Sequence, residues 1–191
     1  MLETACTPGQ TIGPFFHCVL PYPGDSQLIS DAHAGAIRLH GTVYDGAGDP
    51  VPDALIELWQ ADPDGNIIQQ AGSLRRDGST FTGWGRAATD VDGHYSFTTL
   101  APGSVPAGRP AFFAITVFAR GLLDRLFTRA YLPGANFETD PLLASLSAER
   151  RNTLVCVDES ASGLMTYRFD ICLQGGPTQP ETVFLVYRGD R

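Results

Sequence analysis

Lysine is absent from this 191-residue chain, and all 13 of its basic residues are arginine. That excludes a P-loop lysine, a Schiff-base lysine and a lysine nucleophile together. Positive charge is scarce altogether. Thirteen cations stand against 21 acidic residues, a net charge of −8 at pH 7, so neither nucleic acid nor an anionic membrane surface is expected as a partner. Long apolar runs are missing too: the longest, Ala111 to Ala119, is too short to span a bilayer. The four cysteines (Cys6, Cys18, Cys156 and Cys172) form no CxxC pair, and Met1-Leu2-Glu3-Thr4 has neither the basic nor the apolar stretch of a secretion signal. A reduced, cytoplasmic chain is therefore expected, with thiols acting as small core hydrophobes.

Self-contained catalytic motifs are equally sparse. His17, His33, His40 and His94 show no metal-ligand spacing, and no metal site is expected on this chain. His40 reads as an outward strand residue and His94 as a turn residue. Asp90-Val91-Asp92-Gly93 starts like a calcium loop but lacks the remaining ligands, so it reads as a hairpin turn closed by Asx hydrogen bonds. Gly83-Trp84-Gly85 does not sit between a strand and a helix, which argues against dinucleotide binding.

What is present is a β pattern. Hydrophobic residues at 43% suffice for a core, while 21 glycines and 14 prolines favour turns over long helices. A single domain is expected, with a turn-rich N-terminal arm over 1–36 and a β-sandwich over 37–191. Ile37, Leu39, Gly41 and Val43 alternate onto one face of a half-buried strand. Further strands are expected at Ala54–Trp59, His94–Thr98, Ala111–Ala119, Leu126–Leu132, Thr153–Val157, Met165–Cys172 and Thr182–Tyr187. One short helix is expected near 141–151, capped by Asp140, opened by Pro141 and striped by Leu142, Leu143 and Leu146. Seven or eight short strands with one helix make an all-β sandwich.

Several motifs go further when taken in order. They are Gln10-Thr11-Ile12-Gly13-Pro14-Phe15-Phe16, Glu57-Leu58-Trp59-Gln60-Ala61-Asp62, Phe81-Thr82-Gly83-Trp84-Gly85-Arg86, Thr89-Asp90-Val91-Asp92-Gly93-His94-Tyr95, Arg109-Pro110-Ala111 and Leu126-Phe127-Thr128-Arg129-Ala130-Tyr131. This series resembles the intradiol ring-cleavage dioxygenases from about Thr7 to Tyr187. The resemblance implies their type of β-sandwich and a place in bacterial breakdown of aromatic acids.

Catalytic chains of that family hold Fe(III) with two tyrosines and two histidines. Laid on this sequence, the histidine positions fall on Phe112 and Ala114, one tyrosine on Val105 and the other near Ser73. None of these side chains can stand in for the expected imidazole or phenolate. The resemblance therefore implies the metal-free alpha chain of a two-chain enzyme, with Fe(III) bound by a partner beta subunit in an αβ unit that assembles further. The substrates implied are O2 and a small aromatic catechol bearing a carboxylate. By motif, the alpha-chain wall of the pocket falls on Thr11, Gly13, Pro14 and Phe15, with Phe15 where relatives usually carry tyrosine, and on Arg129 as the catalytic contributor.

Their chemistry agrees with that role. Arg129 is a permanent cation whose planar fork suits a carboxylate. Gly13 and Pro14 allow and fix a close backbone approach to a flat ring, and Phe15 offers an apolar wall. Transthyretin-like adhesive sandwiches share the Gly-x-Val-x-Asp and Asp-Gly-x-Tyr elements but not the Thr-Ile-Gly-Pro arm.

Overall fold

The computed structural model describes residues 10–68, 76–105, 107–161, 163–177 and 179–186. Two sheets stack face to face. The first contains β1 (Ala36–Tyr44), β4 (His94–Leu100), β7 (Val157–Asp158) and β8 (Met165–Arg168) in the order β4-β1-β8-β7, with β9 (Ile171–Cys172) continuing alongside β1. The second runs β3-β2-β5-β6, from β3 (Trp84–Ala88), β2 (Leu55–Trp59), β5 (Phe112–Phe118) and β6 (Leu126–Tyr131). Period-two alternation decides which side chains meet between them. Ile37, Leu39 and Val43 of β1 and Tyr95 and Phe97 of β4 face Ile56 and Leu58 of β2 and Phe113, Ile115 and Val117 of β5.

β1 carries the feature on which the first sheet turns. The expected strand Met165–Cys172 is interrupted at Phe169–Asp170, where the chain bends towards Gly41. A Cβ on Gly41 would lie 1.9 Å from the Phe169 carbonyl oxygen. That oxygen accepts a 2.6 Å hydrogen bond from the buried Tyr95 hydroxyl, and the Asp170 carboxylate accepts the Thr42 N–H at 3.0 Å. At the bend the Phe169 N–H still donates to His40 O at 2.7 Å, while side-chain hydrogen bonds from Tyr95 and to Asp170 take the place of the next rung with β1.

Other boundaries differ from the sequence pattern for physical reasons. The expected helix over 141–151 is two helices, α2 (Pro141–Ser145) and α3 (Ala148–Asn152). Leu146 between them is extended, and the Ser147 side chain accepts the Arg150 N–H to start the second helix. A further short helix, α1 (Phe16–Val19), lies in the arm. β3 was not expected, since glycine, arginine and alanine give little strand propensity. It is held by pairing with β2 along its whole length.

Residues 181–186 form no ladder because their backbone bonds are divided among neighbours. Thr182 N–H reaches Cys172 O, Val183 N–H the Thr153 hydroxyl and Leu185 N–H Phe127 O. Tyr187, at the end of the expected strand, lies outside the described residues. Of Thr153–Val157, only Val157 belongs to a strand, while Val155 makes an isolated bridge to Tyr131. The Asp90–Gly93 segment is the expected turn, with Asp90 Oδ1 accepting from the N–H groups of Asp92 and His94.

Cys156 and Cys172 are buried as expected, whereas Cys18 is exposed and Cys6 lies outside the described residues. Burial pushes the Cys156 thiol up from 9.0 to about 12. Above pH 9 the unfolded chain therefore releases a proton that the folded chain retains, and stability falls as pH rises, by up to about 1.4 kcal/mol per pH unit until about pH 12. Cys156→Ala is expected to flatten this alkaline limb in urea melts between pH 8.5 and 11. An unchanged slope would exclude Cys156 as its source.

Candidate functional site

The outer face of the second sheet is where the candidate residues gather. Register places Trp84 of β3, Trp59 of β2, Ala114 of β5 and Arg129 of β6 side by side in one row across the sheet. Beyond the next turn of the pleat, Phe112 pairs with Tyr131. A cavity of about 160 Å³ opens here, walled by Trp59, Ile67, Ile68, Val105, Phe112 and Ala114 among others. Gln60 also borders it, but its amide is committed, donating to Leu100 O at 2.8 Å and accepting the Thr99 hydroxyl at 2.6 Å.

Three of the four positions to which the family pattern assigns iron ligands, Val105, Phe112 and Ala114, therefore line one cavity. The fourth, near Ser73, lies outside the described residues. An alkyl group, a phenyl ring and a methyl group offer no lone pair, so iron does not fit these walls. Among the described residues, no group of three or more His, Cys, Asp or Glu is placed to hold a metal ion.

Arg129 is fixed beside two of the cavity's walls, Phe112 and Ala114, without lining the cavity itself. Its guanidinium carbon lies 4.2 Å from the centre of the Phe112 ring. Nη1 donates to the Tyr131 hydroxyl at 3.2 Å and stands 3.7 Å from Asp140 Oδ2, which accepts the Tyr131 hydroxyl in turn at 3.2 Å. The buried Asp140 also caps α2, taking the Leu142 and Leu143 N–H groups on its other oxygen. Burial, with a smaller contribution from Asp140, pushes the Tyr131 phenol up to about 12, so it stays a protonated donor at neutral pH. This relay orients the arginine without consuming it. Among the described residues its Nε and Nη2 make no hydrogen bond.

The arm docks elsewhere. Ile12 exchanges backbone hydrogen bonds with Leu122 and Gly121, and Phe16 stacks on Phe118 at 5.8 Å. Further along, Arg86 donates to Leu20 O while pairing with Glu57, and Tyr22 stacks on Trp84. Arg76 and Arg86 both lie against the Trp84 ring. Thr11 and Phe15 are exposed, Phe15 at 69%, and among the described residues nothing beyond its chain neighbours lies within 4 Å of a Cβ built on Gly13. Phe118 is four residues beyond Ala114, the strand partner of Arg129, or about 13 Å along β5. Thr11 and Phe15, exposed, with the half-buried Gly13 and Pro14 thus form one group, and Arg129 stands apart from it towards the other end of β5.

No pattern in the chain points to the cavity's second wall, Ile67 and Ile68, which lie in a loop without strand or helix periodicity. Nor did it foresee that His40 and His94 meet. Their rings lie on the outer face of the first sheet, Nδ1 to Nε2 at 3.2 Å, with Glu159 on the far nitrogen of His40. Burial, together with Arg38, holds the His40 imidazole below its usual pKa.

Comparison with known proteins adds scale to this picture. A family model described as Dioxygenase matches residues 24–175. The chain is 36% identical to the protocatechuate 3,4-dioxygenase alpha chain of Burkholderia cepacia, over 93% of this chain and 95% of that one. It is 38% identical to the alpha chain from Pseudomonas putida, over 93% and 94% respectively. The Burkholderia cepacia beta chain is 32% identical over 75% of this chain and 66% of its own. Among solved structures, the dioxygenase domain of a dioxygenase–carbohydrate-binding fusion from Streptomyces sp. SirexAA-E superposes with a TM-score of 0.60 at 26% identity, covering 88% of this chain and 98% of that one. With the sandwich, the motifs and these matches in agreement, the chain belongs to the intradiol dioxygenase family.

Proposed function

We propose that this chain is the alpha subunit of a protocatechuate 3,4-dioxygenase, acting in the cytoplasm with a beta subunit that carries Fe(III). The pair would open 3,4-dihydroxybenzoate between its hydroxylated carbons, adding both atoms of O2 to give 3-carboxy-cis,cis-muconate. One observation carries this reading: the positions that ligate iron elsewhere in the family converge here on one cavity, yet hold Val105, Phe112 and Ala114. Similarity to alpha chains over nearly the full length supports it.

This chain's own part is binding and positioning. Arg129 supplies a fixed cation for the substrate carboxylate or for charge developing on oxygen. Thr11, Gly13, Pro14 and Phe15 supply a wall, exposed at Thr11 and Phe15 and with open space above Gly13 among the described residues, suited to the approach of a partner or a flat ring. An adhesive transthyretin-like module would leave both the arm and the full-length match to alpha chains unexplained.

Co-expression with a candidate beta chain tests the reading. Oxygen uptake with protocatechuate is expected from the mixture and not from this chain alone. A mixture that stays inactive although the beta chain is iron-loaded would contradict it.

A further inference from the structure

We propose that His40 and His94, on the outer face of the first sheet, form an exchangeable binding site for a zinc-class divalent cation, separate from the iron chemistry of the family. The two residues stand far apart in the chain and meet because β1 pairs with β4, where His40 faces Ser96 and Thr42 faces His94. Period-two alternation then puts both rings on the same face. The cavity of the second sheet opens on the opposite side of the sandwich.

The protons of this pair cannot satisfy every neighbour at once. His40 Nε2 lies 3.1 Å from Glu159 Oε2, a contact that requires the proton on Nε2 and leaves Nδ1 as a bare lone pair. That lone pair faces His94 Nε2 at 3.2 Å. With its proton on Nε2, His94 satisfies His40 but turns its own Nδ1 lone pair towards Asp90 Oδ2, 3.9 Å away. With the proton on Nδ1, Asp90 is served and two lone pairs meet across 3.2 Å. A cation bound by both inner nitrogens removes the conflict, because each outer N–H then points at a carboxylate. Metal-binding histidines are oriented in this way.

Both carboxylates are anchored in turn. Glu159 Oε1 accepts the Arg168 Nε–H at 2.6 Å, and Asp90 Oδ1 accepts the N–H groups of Asp92 and His94. Spacing also fits. Across a tetrahedral zinc, bonds of about 2.0–2.1 Å set two ligand nitrogens about 3.3 Å apart, against 3.2 Å here. The rings are tilted by 50°, and a small rotation of each turns both lone pairs onto one point. The His94 side chain is 33% exposed, so water reaches that point. No third His, Cys, Asp or Glu joins the pair among the described residues, and two waters complete the tetrahedron. Imidazole nitrogens select zinc and its transition-metal neighbours over magnesium and calcium, which take oxygen ligands. With water as half of the ligands and the Arg38 charge felt at His40, the dissociation constant is on the order of tens of micromolar.

The test titrates the full-length chain with zinc chloride and, separately, magnesium chloride, following heat and the side-chain nitrogen NMR signals of histidine. Zinc is expected to bind saturably at one ion per chain, with the largest shifts on His40 Nδ1 and His94 Nε2, and magnesium not at all. His94→Gln and His40→Gln should each weaken zinc at least tenfold. Glu159→Gln keeps both ligands but loosens the hold on His40, and about a tenfold loss is expected. His17 and His33, whose Nδ1 atoms are engaged by the Pro14 carbonyl and the Gly35 N–H, serve as internal controls whose signals should not move. Absence of saturable zinc binding below about a millimolar, shifts centred on His17 or His33, or a His94→Gln variant that binds zinc normally would each overturn the proposal. None of these readouts depends on the partner subunit or on ring cleavage, so the proposal and the functional reading fail separately.

Discussion

Gly41→Ala is expected to destabilise the chain by about 3 kcal/mol or more, through overpacking and the loss of a buried hydrogen bond. The added methyl would sit 1.9 Å from the Phe169 carbonyl oxygen and 2.6 Å from its carbon. Both are backbone atoms, so no side chain can rotate away. To make room, the bend at Phe169–Asp170 must move, which takes the carbonyl from the Tyr95 hydroxyl and the Asp170 carboxylate from the Thr42 N–H. Tyr95 is fully buried in the core, so its hydroxyl would be left without a partner. Gly13→Ala is the matched control, because no described residue beyond its chain neighbours would meet the added methyl; it should shift stability by less than about 0.5 kcal/mol. Urea melts of the two variants compare these directly, and equal midpoints would refute the packing account.

Arg129→Ala, measured in the assembled enzyme, should lower kcat/KM for protocatechuate tenfold or more, about 1.4 kcal/mol or greater. Iron content should not change, because Arg129 is not placed to hold the metal. Arg129→Lys should recover only part of the loss: a lysine keeps the charge but not the two-pronged donor edge. Tyr131→Phe should act in the same direction and more weakly, since it removes one of the contacts that hold the guanidinium, while the ion pair with Asp140 remains. Unchanged kinetics in Arg129→Ala would remove this residue from the reaction.

Much of the fold was legible where one face is buried and the other is not. β1 and β5 alternate cleanly, and their inward residues Ile37, Leu39, Val43, Phe113, Ile115 and Val117 are the ones in the core. The strand Trp84–Ala88, which its own pattern does not announce, is fixed by its neighbour β2 and not by its own composition. The bend at Phe169 was hidden for a similar reason: its cause, Gly41, lies far away in the chain. The single expected helix divides because Leu146 is extended before Ser147 can cap the next turn. At the site, the motifs marked Phe112, Ala114 and Arg129, but only strand register could show that they share one face with Trp59. Meeting of His40 with His94 likewise follows from pairing β1 with β4, in which Thr42 faces His94, and no local spacing records it.

Iron analysis of this chain, purified alone and again after co-expression with a candidate beta subunit, is the most direct test of the proposed division of labour. The account predicts no bound iron and no visible absorption band for the single chain, and about one ferric ion for each αβ pair. A single chain that retained stoichiometric iron and cleaved catechols unaided would contradict it.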